Sequence, residues 1–242
     1  MTTTSKLSLP SPAEPVSRLR DIKIIECGEE MVDFLSLSDR IVFDKPHFKY
    51  RRETVLRRSL AERLAAAANS LPPGFKMAII EGWRPPHIQR RMYQAIWNRF
   101  AKDHPDWSPT RMKRTVNRYS APMNRRVPPP HTTGGAMDVM LADERGKVLN
   151  HSAPFAPFAE NTFSFNAHGL SPEARRYRDI MAEVFVPLGV TNYPSEYWHW
   201  SYGDQGWAHR GGHVNAIYGA TEPPGWTPDP DDDLDSPLEF IT

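Results

Sequence analysis

Proline punctuates this chain: 24 of its 242 residues are proline, and they fall throughout its length. Each proline fixes φ and removes a backbone donor, so neither a long uninterrupted helix nor a wide central strand survives such spacing. What lies between the prolines is a series of short, strongly patterned segments. Ile22–Glu26 (IKIIE) reads as a short strand, with Cys27 as a small buried side chain beside it. From Glu53 to Ser70, Leu56, Leu60, Leu64 and Ala68 recur on one helical stripe, and Pro72-Pro73-Gly74 stop it. Met77–Glu81 (MAIIE) is a compact apolar strand that runs into the forced turn Gly82-Trp83-Arg84-Pro85-Pro86. A helix from His87 to Lys102 carries Met92, Ile96 and Phe100 on one face. Ser108-Pro109 and Ser171-Pro172 each pair a capping serine with a first-turn proline and so open two more helices, the second ending near Gly189. Ala136–Leu141 (AMDVML) and Glu196–Tyr202 (EYWHWSY) read as strands. Helices and strands interleave, but the strands are few and short. The pattern predicts an α+β single domain, with a small, mainly antiparallel sheet flanked by helices.

The ends differ from the body. Residues 1–20 contain a Ser/Thr/Pro-rich start with no apolar run and read as a flexible tail. Residues 222–242 hold seven acidic groups, no basic one and five prolines, and read as an acidic solvated tail. The folded body is expected over 21–221. No stretch reaches the about 18 apolar residues of a spanning helix, and the reading is a cytoplasmic protein without a membrane partner. The formal charge of +1 averages the tail with a body of 30 basic and 22 acidic groups, a net of +8. Part of that excess is local: no acid occurs between Asp106 and Asp138, where Arg111, Lys113, Arg114, Arg118, Arg125 and Arg126 lie. No nucleic-acid-binding motif accompanies this patch, so it reads as a solvated face or as a positive rim for a substrate carboxylate. Nothing in the sequence fixes an oligomeric state.

A single cysteine excludes a disulfide framework and a multi-thiolate metal site, whereas nine histidines are available as ligands. Two segments use them. In His131-Thr132-Thr133-Gly134-Gly135-Ala136-Met137-Asp138, a Gly-Gly turn lets a histidine and an aspartate converge. In Glu196-Tyr197-Trp198-His199, a carboxylate precedes a histidine by three residues. Two histidines and one aspartate with an open fourth position is the plan of a catalytic zinc site. A carboxylate held beside the metal, the place suited to Glu196, can take a proton from the activated water. Arg84, on the turn after MAIIE, reads either as a structural arginine or as a fixed cation aimed at a developing oxyanion. His87 and His104 flank a helix and read as surface groups; His209 and His213 read as rim residues at most.

These segments together resemble the zinc D-Ala-D-Ala metallopeptidases. His131, Gly134, Ala136 and Asp138 fall on that family's SxHxxGxAxD signature, Glu196-Tyr197-Trp198-His199 resembles its ExWH, and Gly82-Trp83-Arg84-Pro85 is similar to the G-[YW]-R-P turn of the dipeptidase branch. The resemblance runs from about Asp21 to Tyr202. It implies one zinc ion on His131, Asp138 and His199, Glu196 as general base and then acid, and Arg84 as transition-state stabiliser. The implied reaction is hydrolysis of the small dipeptide D-Ala-D-Ala to two D-alanines, in the cytoplasm, where that wall precursor is made. The runner-up is a D,D-carboxypeptidase or broader peptidase acting on peptidoglycan stem peptides with the same chemistry. Two positions depart from the pattern. Pro129 stands where the signature has serine, and Phe155-Ala156 stands where the dipeptidases place an acid for the substrate ammonium, with Glu160 the nearest carboxylate.

Overall fold

The computed structural model describes residues 14, 16–45, 48–152 and 163–241. Helix α1 (Val16–Asp21) and strand β1 (Lys23–Ile24) lead to β2 (Met31–Asp33) and β3 (Ile41–Phe43). Strand β4 (Val55–Arg57) runs directly into α2 (Arg58–Ser70), followed by β5 (Phe75–Glu81), α3 (Pro86–Asp103) and α4 (Pro109–Val116). Then come β6 (Ala136–Asp143), α5 (Pro172–Phe185), β7 (Thr191–Asn192), β8 (His199–Ser201), α6 (Gln205–Gly211) and β9 (Asn215–Ala216). The main sheet has the order β3-β5-β6-β8-β7, and of its pairings only β3 with β5 is parallel. The chain therefore has the predicted α+β architecture.

Strand alternation decides which side of this sheet is core and which is site, since successive side chains point to opposite faces. Met77 and Ile79 of β5, Met137, Val139 and Leu141 of β6 and Trp200 of β8 join the main core, where α2 contributes Leu60 and Leu64, and α5 contributes Met181 and Phe185. The intervening residues Ile80, Asp138, Met140 and His199 line a cavity of about 720 Å³ instead. A second core is formed by Ile88, Met92 and Ile96 of α3 with Met112 and Val116 of α4, and Met92 and Ile96 from it also line that cavity. Ser108 and Ser171 cap α4 and α5 as anticipated, accepting from Arg111 N and Ala174 N.

Several expectations change. The helical stripe begins at Arg58 rather than Glu53, because Val55–Arg57 pairs with β2 (Val32 opposite Leu56) before the helix starts. Only Lys23–Ile24 of IKIIE is strand, paired in parallel with β9, and Cys27 is exposed rather than buried. The reading of 1–20 as a flexible tail does not hold from Val16 onward: α1 is helical there, and Gln205 Nε2 donates to the carbonyls of Leu19 and Ile22, at 2.9 and 2.8 Å. Residues 222–241 are exposed at most positions, as read, but the segment is also fastened to the body. Trp226 packs edge-on against Trp83, with centroids 5.0 Å apart. Asp232 binds both Arg91 and His87, the latter at 3.0 Å, and Leu238 is 4% exposed in the second core. Of its acids, Asp232 meets the α3 side chains, while Asp229 and Glu239 lie 3.8 and 3.6 Å from Arg51 and Lys49, which offsets part of the charge repulsion its composition suggested. For the same reason His87 is buried and not a surface group.

The Gly134-Gly135 turn is sterically required. Gly134 has φ +70°, and a Cβ on Gly135 would stand 2.6 Å from the Tyr202 carbonyl oxygen and 2.8 Å from the Tyr218 ring. The Gly135→Ala variant should lose about 1–3 kcal/mol of stability, read as a lower denaturant midpoint, because the clash is with backbone and a buried ring.

Candidate metal and catalytic site

The site is assembled from the ends of two sheet strands and two turns. Asp138 on β6 lies directly opposite His199 on β8 in the antiparallel register, which brings Asp138 Oδ1 to 3.1 Å from His199 Nδ1. His131, on the turn of 3-10 helix at Pro130–Thr133, places Nε2 3.3 Å from the same oxygen. The two imidazoles meet nearly edge to face, with centroids 4.9 Å apart and planes at 78°. One ligand atom from each of these three residues lies within 4.8 Å of the others.

The GWRP turn orients this trio. His131 Nδ1 donates to the Gly82 carbonyl at 2.9 Å, and Arg84 N donates to the His131 carbonyl at 3.1 Å. The first bond holds the Nδ1–H tautomer, leaving the Nε2 lone pair toward Asp138, a common orienting device for ligand histidines. The donor set fits a divalent metal: N···O separations of 3.1 and 3.3 Å are close to the about 3.4 Å ligand–ligand edge of a tetrahedron with bonds of about 2.1 Å. Burial pushes the Asp138 carboxyl up, but His131 and His199 outweigh it and hold the group well below the usual carboxylate range.

Glu196 is not on the strand expected for it, since β8 begins only at His199; it lies in the preceding turn. Its Oε2 is 3.9 Å from His199 Nδ1. Asn192, which no pattern singled out, fixes that turn by donating from Nδ2 to the carbonyls of Glu196, Tyr197 and His199, at 3.0, 3.3 and 3.0 Å. Burial pushes the Glu196 carboxyl up to about 7; Asp138 adds to this, while His199 and Arg84 oppose it.

Arg84 makes the pairing expected of a structural arginine. It is 8% exposed and pairs with Glu81 at 3.3 Å, while Nη1 donates to Gln89 Oε1 at 2.7 Å. It also lines the same cavity as His131, Asp138, Glu196 and His199. Glu81 was missed by sequence reasoning. It accepts from Tyr50 Oη, its Oε1 has no hydrogen-bond partner, and burial pushes its carboxyl up to about 7, with Asp138 adding and Arg84 opposing. Its one sequence signal is position: it immediately precedes the GWRP turn. His151 was also missed. Its Nε2 accepts from Leu141 N and its Nδ1 donates to the Leu149 carbonyl, and burial pushes it down to about 4, so it is a neutral cavity-wall group.

Of the basic patch, Arg118 alone reaches the cavity lining among described residues, while Arg111 stacks on Trp107 with its guanidinium 4.3 Å from the ring centroid. His209 and His213 do not line the cavity; His213 stacks on Trp207 at 3.9 Å. Pro129 lines it, whereas Phe155-Ala156 and Glu160 lie outside the described residues. Among the described residues no helix is long and apolar enough to cross a membrane.

Comparison with known proteins places this geometry in context. The Peptidase M15 family model, described as D-Ala-D-Ala dipeptidase, matches residues 41–217. A D-alanyl-D-alanine dipeptidase of Synechocystis sp. (strain ATCC 27184 / PCC 6803 / Kazusa) is 26% identical over 232 residues, covering 84% of this chain and 92% of that protein. A D-alanyl-D-alanine dipeptidase of Escherichia coli (strain K12) is 26% identical over 141 residues, covering 58% and 61% respectively. The solved structure of the LdcB LD-carboxypeptidase aligns with a TM-score of 0.40 at 16% identity, over 79% of this chain and 76% of that one.

Proposed function

The chain belongs to the D-Ala-D-Ala dipeptidase family, a family of metallopeptidases, and on that premise we propose that it hydrolyses D-Ala-D-Ala to two D-alanines with one zinc ion held by His131, Asp138 and His199. The observation that carries the reading is the convergence of those three donors beside a largely buried carboxylate and a fixed guanidinium in one cavity. When bound, zinc supplies a Lewis acid that brings the pKa of a coordinated water to about 7.

The chain's own residues do the rest. The Glu196 carboxylate accepts a proton as the water oxygen adds to the scissile carbonyl carbon. Glu196 then returns that proton to the amide nitrogen, the C–N bond breaks, and the remaining water proton passes from the new carboxyl group to the departing amine, giving a carboxylate and an ammonium. Glu81 and Gln89 hold the Arg84 guanidinium at the cavity wall, and its role in this reading is to stabilise the oxygen that becomes negative during addition. Its planar fork makes these contacts from separate nitrogens in fixed directions, which the single nitrogen of an ammonium does not reproduce. Accordingly, Arg84→Lys should lower kcat by about 10²–10³-fold, the scale of losing one oxyanion donor. A steady-state assay should show KM changing far less than kcat.

The test of function is a product assay with D-Ala-D-Ala, L-Ala-L-Ala and N-acyl-D-Ala-D-Ala, with zinc content measured on the same sample. Release of D-alanine from the free D,D-dipeptide alone supports the reading. Preferential cleavage of the acylated substrate points to a D,D-carboxypeptidase of the same chemistry, and a zinc-loaded protein that releases nothing from any of the three sinks both. A cytoplasmic site of action belongs to the dipeptidase reading, since the free dipeptide is a cytosolic precursor.

A further inference from the structure

The segment 222–241 follows the portion matched by the family model, which ends at residue 217, yet it reaches the cavity. It is fastened to the elements that carry Arg84. Trp83 Nε1 donates to the Thr221 carbonyl at 2.9 Å, and Trp226 stacks on His87 at 5.9 Å. Arg91 Nε donates to the Ser236 carbonyl at 2.6 Å. Lys49 N donates to the Glu239 carbonyl at 2.9 Å, and Phe48 forms an antiparallel bridge with Phe240, their rings 4.6 Å apart. Phe240 and Ile241 remain 41% and 51% exposed, and both lie on the wall of the cavity that holds Arg84, Glu196 and the three metal-ligand candidates. Phe48, Met92 and Ile96 share that lining. A concave apolar surface held in place by several anchors gains free energy when an apolar group displaces its water, and little ordering cost opposes it.

We propose that Phe240 and Ile241, backed by Phe48, form an apolar subsite of the substrate cavity that receives an aliphatic or aromatic side chain, so that the enzyme accepts D-dipeptides bulkier than D-Ala-D-Ala. The inference rests on the dipeptidase reading above. Neither residue touches the reacting atoms; they determine which substrate is held.

The experiment compares kcat/KM for D-Ala-D-Ala, D-Leu-D-Ala, D-Ala-D-Leu and D-Ala-D-Phe in the zinc-loaded wild type, Phe240→Ala and Ile241→Glu. Ile241 is half exposed, so its charged variant keeps the fold and guards against misfolding of Phe240→Ala; melting curves verify both. At least one bulky dipeptide should be cleaved by the wild type within about 10-fold of D-Ala-D-Ala. The variants should lose about 10-fold on that substrate through KM, the scale of one or two lost methylene contacts, and distinctly less on D-Ala-D-Ala. Rejection of every bulky dipeptide by an active wild type, or equal losses on small and bulky substrates, overturns the subsite and leaves the dipeptidase reading intact. A wild type that releases D-alanine from no dipeptide overturns that reading itself, and the subsite with it.

Discussion

Glu196→Gln should yield a folded protein with unchanged metal content and a kcat lowered by about 10²–10⁴-fold, the contribution of a positioned acid–base group. The substitution preserves shape and hydrogen-bonding capacity but cannot take a proton. It also spares the turn, because that turn is held through backbone groups: Asn192 Nδ2 donates to the Glu196 carbonyl at 3.0 Å, and Glu196 N donates to the Tyr193 carbonyl at 2.9 Å. Glu196 does not belong to the trio whose ligand atoms converge, so metal stoichiometry should survive. Burial places its carboxyl at about 7 in the metal-free protein, and a nearby cation favours the ionised form and moves that value down. The base must be ionised to act, so activity of the loaded enzyme should fall as the pH drops through a value below 7. Stopped-time assays of D-alanine release, with metal content by elemental analysis, check both halves. A variant retaining more than about a tenth of wild-type kcat would remove Glu196 from the proton transfer.

How far such residues can be found without coordinates depends on whether their partners are local. His131, Asp138 and Glu196 are marked by turns and short spacings, and Ser108 and Ser171 by the cap-then-proline pair; each signal spans a few residues. The alternation in β6 also tells correctly that Asp138 points away from the face of Met137 and Val139. The failures share a different cause. Val55–Arg57 fits the helical stripe of α2 equally well, and only its pairing with the distant β2 makes it a strand. The acidic segment 222–241 is solvated as its composition says, but its anchoring shows only where Asp232 meets His87 and Arg91 from across more than 140 positions of sequence. Glu81 and Asn192 carry no local motif at all: one gains its role from Arg84, Tyr50 and burial, the other from a turn that it binds through three carbonyls.

Asp138→Asn is the second large effect, and it separates the metal from the fold. Both histidines lean on Oδ1 of this residue, at 3.1 and 3.3 Å, so its charge is the one anionic donor of the trio. Removing it should weaken zinc binding by more than the about 10–100-fold typical of losing an outer-shell partner and should abolish D-alanine release at sub-millimolar zinc. The same charge raises the Glu81 and Glu196 carboxyls, both at about 7, which gives a readout independent of activity. A carboxyl whose folded pKa exceeds its unfolded value near 4.5 binds protons more tightly when folded. Its contribution to stability is therefore present at low pH and is lost as the pH rises through about 7. His151, lowered to about 4, acts in the opposite sense only below the unfolded histidine value of about 6.5. Between about pH 4.5 and 7 the two carboxyls outweigh this one histidine, and the metal-free wild type should melt at progressively lower temperature across that window and level off above it. In metal-free Asp138→Asn both carboxyls lose a neighbouring negative charge, their pKa values fall, and the slope of melting temperature against pH should flatten. Added zinc should raise the wild-type melting temperature most at the alkaline end, where the ionised site binds it best, and should do little for the variant. Equal pH slopes in the two metal-free proteins would show that Asp138 does not set the charge balance of this cavity.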